Sequence, residues 1–259
     1  MSITQIPNAN QHIPKRAVLF FTRTPRTEAK AKPIAGLSFA ETQILYGSLI
    51  RSVLRETSVL GYPVIISTDD PSSGFFSGAS KNIQLVQQRG ESFNARLTAA
   101  TEDAFASGYD EVVVIGNDCV NLSAKSLHHA FEQLGTSDIV LGSANDGGVY
   151  LIGAKKSSLA SVFSIFAECR WETGNVQQDI LARAAQRHLS CSLLEAYTDI
   201  DSSADLINVA AWHPSISMLR RFAEKLLAKR KQFFHRSSLL FLRSEQTLRL
   251  RYQKAPPVA

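Results

Sequence analysis

The chain has 259 residues, 44% of them hydrophobic, with a formal net charge of +5. That length and apolar content can bury a full core, and no stretch of about 18 uncharged apolar residues is present to cross a membrane as a helix. Cys119, Cys169 and Cys191 are odd in number, widely spaced and without a C-x-x-C pair, which argues against a disulfide framework or a structural zinc and fits a reduced, cytoplasmic protein.

Residues 1–13 read as a loose lead-in, because MSITQIPNANQHIPKR lacks the basic-then-apolar order of a signal peptide. Arg16–Thr22 (RAVLFFT) is a dense apolar run, as expected of a buried parallel strand. It leads into residues 23–33, a cation-rich stretch with Arg23, Arg26, Lys30, Lys32 and two prolines, read as a loop. Composition leaves two readings of that loop open: it holds phosphates by charge, or it is simply solvated. Ser38 followed three residues later by Glu41 is a capping box, opening a helix that ends near Gly61. Pro63–Thr68 is the second strand and Asn82–Gln88 the third, joined by a turn-rich loop in which Asp69 and Asp70 read as turn formers. A helix then runs to about Ser107.

Glu111–Ile115 (EVVVI) is short and β-branched, and it ends abruptly in Gly116-Asn117-Asp118. An acid directly after an apolar strand lies at the carboxyl edge of a sheet, where open α/β proteins bind ligands. Ser123 caps a helix to Leu134, on which His128 and His129 are sequence neighbours and so cannot form an i, i+4 metal pair. A second apolar run, Asp138–Gly142, leads into Asn145-Asp146-Gly147-Gly148 and a further strand, Val149–Gly153. The glycines permit close backbone approach to a ligand. Asp118 and Asp146, at the ends of strands expected to be neighbours, form a pair able to share one hard cation.

Beyond Gly153 the pattern is less regular, with Phe163, Phe166, Trp171 and Glu172, before a helix over Asn175–His188 and a late strand, Ser190–Leu194. Asp199 and Asp201 precede a helix capped by Ser202 or Ser203, a position where acids usually serve the helix end. From His213 to Ala259 eleven Lys and Arg stand against Glu224 and Glu245, a net +9, which leaves −4 for the residues before it. This basic, amphipathic tail can cover the domain, lie on an anionic membrane surface or bind an acidic partner protein. No nucleic-acid partner is expected, since no reader motif accompanies the charge.

Taken in order, the strand with its cationic loop, Gln88-x-Gly90…Arg96, Gly116-x-Asp118-Cys119, Asp146-Gly147-Gly148-x-Tyr150-Leu151-Ile152-Gly153, Trp171-x-Thr173 and Asp199-x-Asp201-x-x-x-Asp205-Leu206 resemble one family. It is the bacterial glycosyltransferase-like family of the GT-A nucleotide-diphospho-sugar transferase superfamily. Its members are associated with radical SAM/selenodomain proteins or arsenosugar biosynthesis, and it is related to the guanylyltransferases of molybdopterin and deazaflavin cofactors. The resemblance covers Arg16 to Leu206. It departs from the family pattern in the first loop, which lacks the usual Gly before the cations, and at Val120, where a Pro is usual.

The resemblance implies a three-layer α/β/α fold with a mixed, mostly parallel sheet over residues 14–212, followed by a basic helical extension over 213–259. It implies Mg²⁺ or Mn²⁺ held by Asp118, Asp201 and Asp199, and phosphates held by Lys30, Lys32 and Arg96, to which the charge of the first loop adds Arg23. It implies a substrate loop with Gly147, Gly148 and Tyr150, and Asp146 or Glu172 as a candidate base. The expected activity is metal-dependent transfer of a sugar from a nucleotide-diphosphate-sugar to a small-molecule acceptor. The alternatives are a nucleotidyltransferase that releases pyrophosphate from an NTP, and a non-catalytic nucleotide-binding relative. The expected place is the cytoplasm, with peripheral contact at the inner face of the membrane through the tail.

Overall fold

A computed structural model describes residues 13–77, 83–213 and 216–232, and over them strands and helices largely alternate. The order is β1 (Arg16–Phe21), α1 (Pro25–Ala31), α2 (Phe39–Ser58), β2 (Val64–Thr68), β3 (Ile83–Gln87), α3 (Phe93–Ala106), β4 (Glu111–Ile115) and α4 (Ala124–Leu134). Then come β5 (Ile139–Ser143), β6 (Val149–Lys155), a 3₁₀ turn (Lys156–Ser158), α5 (Leu159–Glu168), α6 (Val176–Gln186), β7 (Cys191–Leu193) and α7 (Ser203–Trp212). A last helix, α8, covers residues 217–232.

The strands form one sheet in the order β3-β2-β1-β4-β6-β5-β7. Six run parallel, and β6 alone is reversed, pairing antiparallel with both β4 and β5. Its reversal comes from the short turn after β5, which permits only a hairpin. All five residues of β2, β4 and β5 are buried, the signature of strands covered on both faces. On one face Val18, Phe20, Ile66, Val113 and Ile115 pack against Ile50 and Val53 of α2 and Leu127 and Phe131 of α4. On the other face Leu19, Val112, Val114, Leu141 and Ile152 meet α3, α5 and α6. The fold is therefore the three-layer α/β/α arrangement with a mixed, mostly parallel sheet.

A third cluster lies beside these layers, where Tyr46 and Leu49 of α2 and Leu206 and Val209 of α7 enclose Ile200. Leu219, Phe222, Ala223 and Leu226 of α8 join it, so this helix turns its apolar face onto the domain. Lys225 of α8 pairs with Glu41 in the capping box of α2. The first part of the basic tail thus covers the domain. Residues 1–12 and the tail beyond 232 lie outside the described residues.

Two stretches differ from their sequence reading. Residues 23–33, expected as a loop, contain helix α1. Pro25 sits at its first position, where a missing N–H costs nothing and the fixed φ favours a helix, so this proline starts the element instead of breaking it. The stretch after Gly153, read as irregular, contains α5, whose Leu159, Val162, Phe163 and Phe166 follow helical spacing but which has no side-chain N-cap to mark its start. Among the described residues, no helix is long and apolar enough to cross a membrane.

Candidate functional site

The connections out of β1 lead to β2 on one side, while β4 lies on the other, so the loops after β1 and β4 diverge. Such a switch point opens a crevice at the carboxyl ends of the strands. The cavity here measures about 580 Å³ and is lined from both sides, by Thr22, Arg23, Glu28 and Lys32 after β1 and by Gly116, Asn117 and Asp118 after β4.

Asp118 does not stand alone. The segment between β7 and α7 crosses the strand ends, with Tyr197 bridged to Ala144 and Asp199 bridged antiparallel to Cys119. The Ile200 N–H donates to the Asp118 carbonyl at 3.2 Å, and the buried Ile200 side chain anchors the crossing. One carboxylate oxygen each from Asp118, Asp199 and Asp201 consequently lies within 4.8 Å of the others. Burial pushes the Asp199 carboxyl up to about 7, and the neighbouring Asp118, Asp146 and Asp201 add to the shift.

A cation already stands in this group. The Lys32 ammonium donates to Asp118 Oδ2 at 3.0 Å and to Asp201 Oδ1 at 2.8 Å. Burial works against its charge, but the two carboxylates more than offset that and raise its pKa above the ordinary lysine value. The Tyr46 hydroxyl donates to the Lys32 carbonyl at 3.1 Å and fixes the base of the side chain. Beside it Asn117 is 6% exposed, lines the cavity and has an Nδ2 without a hydrogen-bond partner among the described residues. A buried donor without a partner is costly unless a ligand or water completes it.

Hard divalent cations take carboxylate oxygens at roughly 2.0–2.6 Å, so oxygens around one ion lie within about 5 Å of each other. The three carboxylates meet that spacing, two of them already accommodate a positive charge, and their mutual repulsion is what a cation relieves. The residues fit Mg²⁺ or Mn²⁺. Asp146 is not one of the three. It sits in the β5–β6 hairpin, whose β6 end pairs with the end of β4, and it lies close enough to add to the upward shift of Asp199.

The remaining sequence candidates divide. Arg23 lines the cavity with one guanidinium nitrogen 3.4 Å from Glu28 and another 3.9 Å from Glu172. Asp146, Gly148 and Tyr150 line it too, and the Asp146 side chain accepts the Gly148 N–H at 2.8 Å. Tyr150 is held by its hydroxyl bond to the Glu195 carbonyl and by stacking on Tyr197. Glu172 lines the wall with its backbone in the left-handed region, φ 59°.

Three candidates lie outside the cavity lining. Lys30 is exposed in the last turn of α1. Arg96 is turned onto the Glu91 carbonyl, 3.2 Å away. Gly147, at φ +90°, lies against the backbone of Gly174, where an added Cβ would come within 2.1 Å of the carbonyl oxygen; its part is to let two loops touch.

Sequence reasoning gave no role to Asn117, Glu28 or Phe93. Glu28 is a buried carboxyl raised by desolvation, with Arg23 and Lys32 pulling it back. Phe93 and Trp171 form an aromatic wall, their ring centroids 5.4 Å apart, and the indole N–H donates to the Phe166 carbonyl at 2.7 Å. A sequence signal existed for Trp171 and Phe93, as apolar rings beside polar turns, but only the fold joins them.

The fold matches that of nucleotide-diphospho-sugar transferase-like proteins. A crystal structure of a candidate nucleotide-diphospho-sugar transferase from Desulfovibrio desulfuricans G20 superposes with a TM-score of 0.69 at 23% identity, covering 86% of this chain and 98% of that one. The 4-diphosphocytidyl-2C-methyl-D-erythritol synthase of Anaerococcus prevotii DSM 20548 gives 0.53 at 9% identity, covering 76% and 96%. A CMP:2-keto-3-deoxy-manno-octonic acid synthetase complexed with CTP gives 0.51 at 14% identity, covering 78% and 99%. Within the chain, residues 52–173 match a family profile described as "Uncharacterized protein conserved in bacteria (DUF2064)". A search of curated proteins gives no match.

Proposed function

We propose that this chain is a nucleotide-binding transferase that moves a sugar from a nucleotide-diphosphate-sugar to a small-molecule acceptor. One observation carries the reading: three carboxylates and a lysine ammonium meet at the carboxyl edge of β4, inside the cavity at the switch point of the sheet. Asp118, Asp199 and Asp201 would hold Mg²⁺ or Mn²⁺. When bound, such an ion neutralises charge developing on the phosphate oxygens of the leaving group.

The chain's own residues would do the rest. Arg23 and Lys32 approach from the β1 side and supply positive charge for the phosphates. Asp146 and Glu172, which line the same cavity, are the carboxylates able to take a proton from an acceptor hydroxyl. Lys30 and Arg96 have no place in this scheme. The cytoplasm, as the source of the nucleotide, remains our proposed location, and membrane contact through the tail beyond 232 remains part of the proposal.

A second reading, nucleotidyl transfer from an NTP, is favoured by the likeness of the fold to the CTP-bound synthetase and to the diphosphocytidyl-methylerythritol synthase. The product separates the two. Incubation with Mn²⁺, a small-molecule extract as the source of acceptor and a panel of nucleotide-sugars and NTPs should release a nucleoside diphosphate under the first reading and pyrophosphate under the second. Release of neither with any donor would favour a non-catalytic binding protein.

A further inference from the structure

We propose that Lys32 is a built-in counter-ion that occupies the cation position of the Asp118–Asp199–Asp201 group and must leave it before a divalent ion can bind. The inference rests on the proposed metal site and adds to it a residue that sets the ion's affinity. The Lys32 ammonium lies 3.0 Å from Asp118 and 2.8 Å from Asp201, so it takes up oxygens from two of the three carboxylates. A divalent ion needs those oxygens at roughly 2.0–2.6 Å and cannot share the space with the ammonium.

The side chain is built to move while its base stays fixed. The Lys32 N–H donates to the Glu28 carbonyl at 2.8 Å, and its carbonyl accepts from the buried Tyr46 hydroxyl. The four-carbon stem beyond those anchors is flexible, and the side chain is 35% exposed. An ammonium displaced from the carboxylates stays within the cavity that Arg23 also lines, where a phosphate would receive it.

In the free protein Lys32 protects the acids from one another and from adventitious ions, so a divalent ion binds weakly. With a nucleotide present the ammonium has a new partner, so ion and nucleotide each favour the other by the same factor.

The test is binding of Mn²⁺ alone to the full-length protein, monitored by the electron paramagnetic resonance signal of free Mn²⁺. Wild type, Lys32→Met and Asp118→Asn are compared at one pH and salt concentration. Removing the competing charge should tighten Mn²⁺ binding by on the order of tenfold or more in Lys32→Met. Thermal unfolding gives a second readout: Lys32→Met should melt below wild type without Mn²⁺ and recover with it. Lys32→Gln, which keeps a hydrogen-bonding end without the charge, answers the same question should Lys32→Met fail to fold. Equal or weaker Mn²⁺ binding in the lysine variants, with loss in Asp118→Asn, would overturn the proposal and leave the metal reading intact. No Mn²⁺ binding in any of the proteins would overturn both.

Discussion

Cys119 and Asp199, eighty residues apart, face one another across an isolated antiparallel bridge, and that pairing assembles the acidic site. It sets the late acids beside Asp118 and places Ile200 beneath them, fully buried between α2, α7 and α8. The site is therefore tied to the third hydrophobic cluster as well as to the sheet.

The first prediction tests that tie. Ile200→Ala leaves every carboxylate in place but removes their anchor, and it should cost about 2–5 kcal/mol of stability. Chemical denaturation would read the loss, and Mn²⁺ binding should weaken with it. Unchanged Mn²⁺ affinity would show that the crossing segment is held by its backbone bonds alone.

The contact of Gly147 with Gly174 makes a second prediction. A methyl group at position 147 meets the Gly174 carbonyl and also a backbone at φ +90°. Gly147→Ala should destabilise the protein by about 1–3 kcal/mol, measured as a lower denaturation midpoint. A neutral result would mean that the two loops separate without cost.

Glu172 holds a left-handed backbone at the cavity wall, a conformation that costs a non-glycine residue on the order of 1 kcal/mol. Glu172→Gly should therefore raise the melting temperature while lowering turnover, if the carboxylate serves the acceptor. A gain in stability with full turnover would remove Glu172 from the site.

Acid should loosen the arm that carries Trp171 and Glu172. Asp179 accepts from the Arg170 backbone N–H at 2.9 Å and from its guanidinium at 2.8 and 3.0 Å. The Arg170 bonds hold the carboxyl at about 2, below its ordinary value. Because the folded value is the lower one, this contribution to stability is present above the unfolded value of about 3.9 and is lost as pH falls through the folded value. Unfolding free energies of wild type and Asp179→Asn should differ at pH 5 and converge towards pH 2. Parallel curves would show that the pair does not govern acid sensitivity.

Most of the sheet was legible in the chain because its strands are short, β-branched and buried on both faces, as in Glu111–Ile115 and Ile139–Ser143. Helix α1 was hidden by Pro25, since a proline can either break a helix or occupy its first turn. Helix α5 carries a helical spacing, Leu159, Val162, Phe163 and Phe166, that the sequence reading passed over in a short segment without a capping residue. Of the site, Asp118 was legible at the end of its strand. Asp199 and Asp201 look like helix-capping acids until the Cys119 bridge brings them over, and family resemblance alone pointed to them. The bond between Lys32 and two of these acids joins chain segments 86 and 169 residues apart, a relation that no local pattern carries.

A divalent ion on Asp118, Asp199 and Asp201 should be needed to hold a nucleotide, and a thermal-shift panel decides whether it is. Nucleoside di- and triphosphates and nucleotide-sugars would be added with and without Mn²⁺ to wild type and to Asp118→Ala. A ligand at about a hundred times its dissociation constant stabilises by about 2.7 kcal/mol, a readable shift. The expected result is a shift with one class of nucleotide that requires Mn²⁺ and is absent in Asp118→Ala. An equal shift without Mn²⁺, or in Asp118→Ala, would mean that the three acids do not hold the nucleotide through an ion.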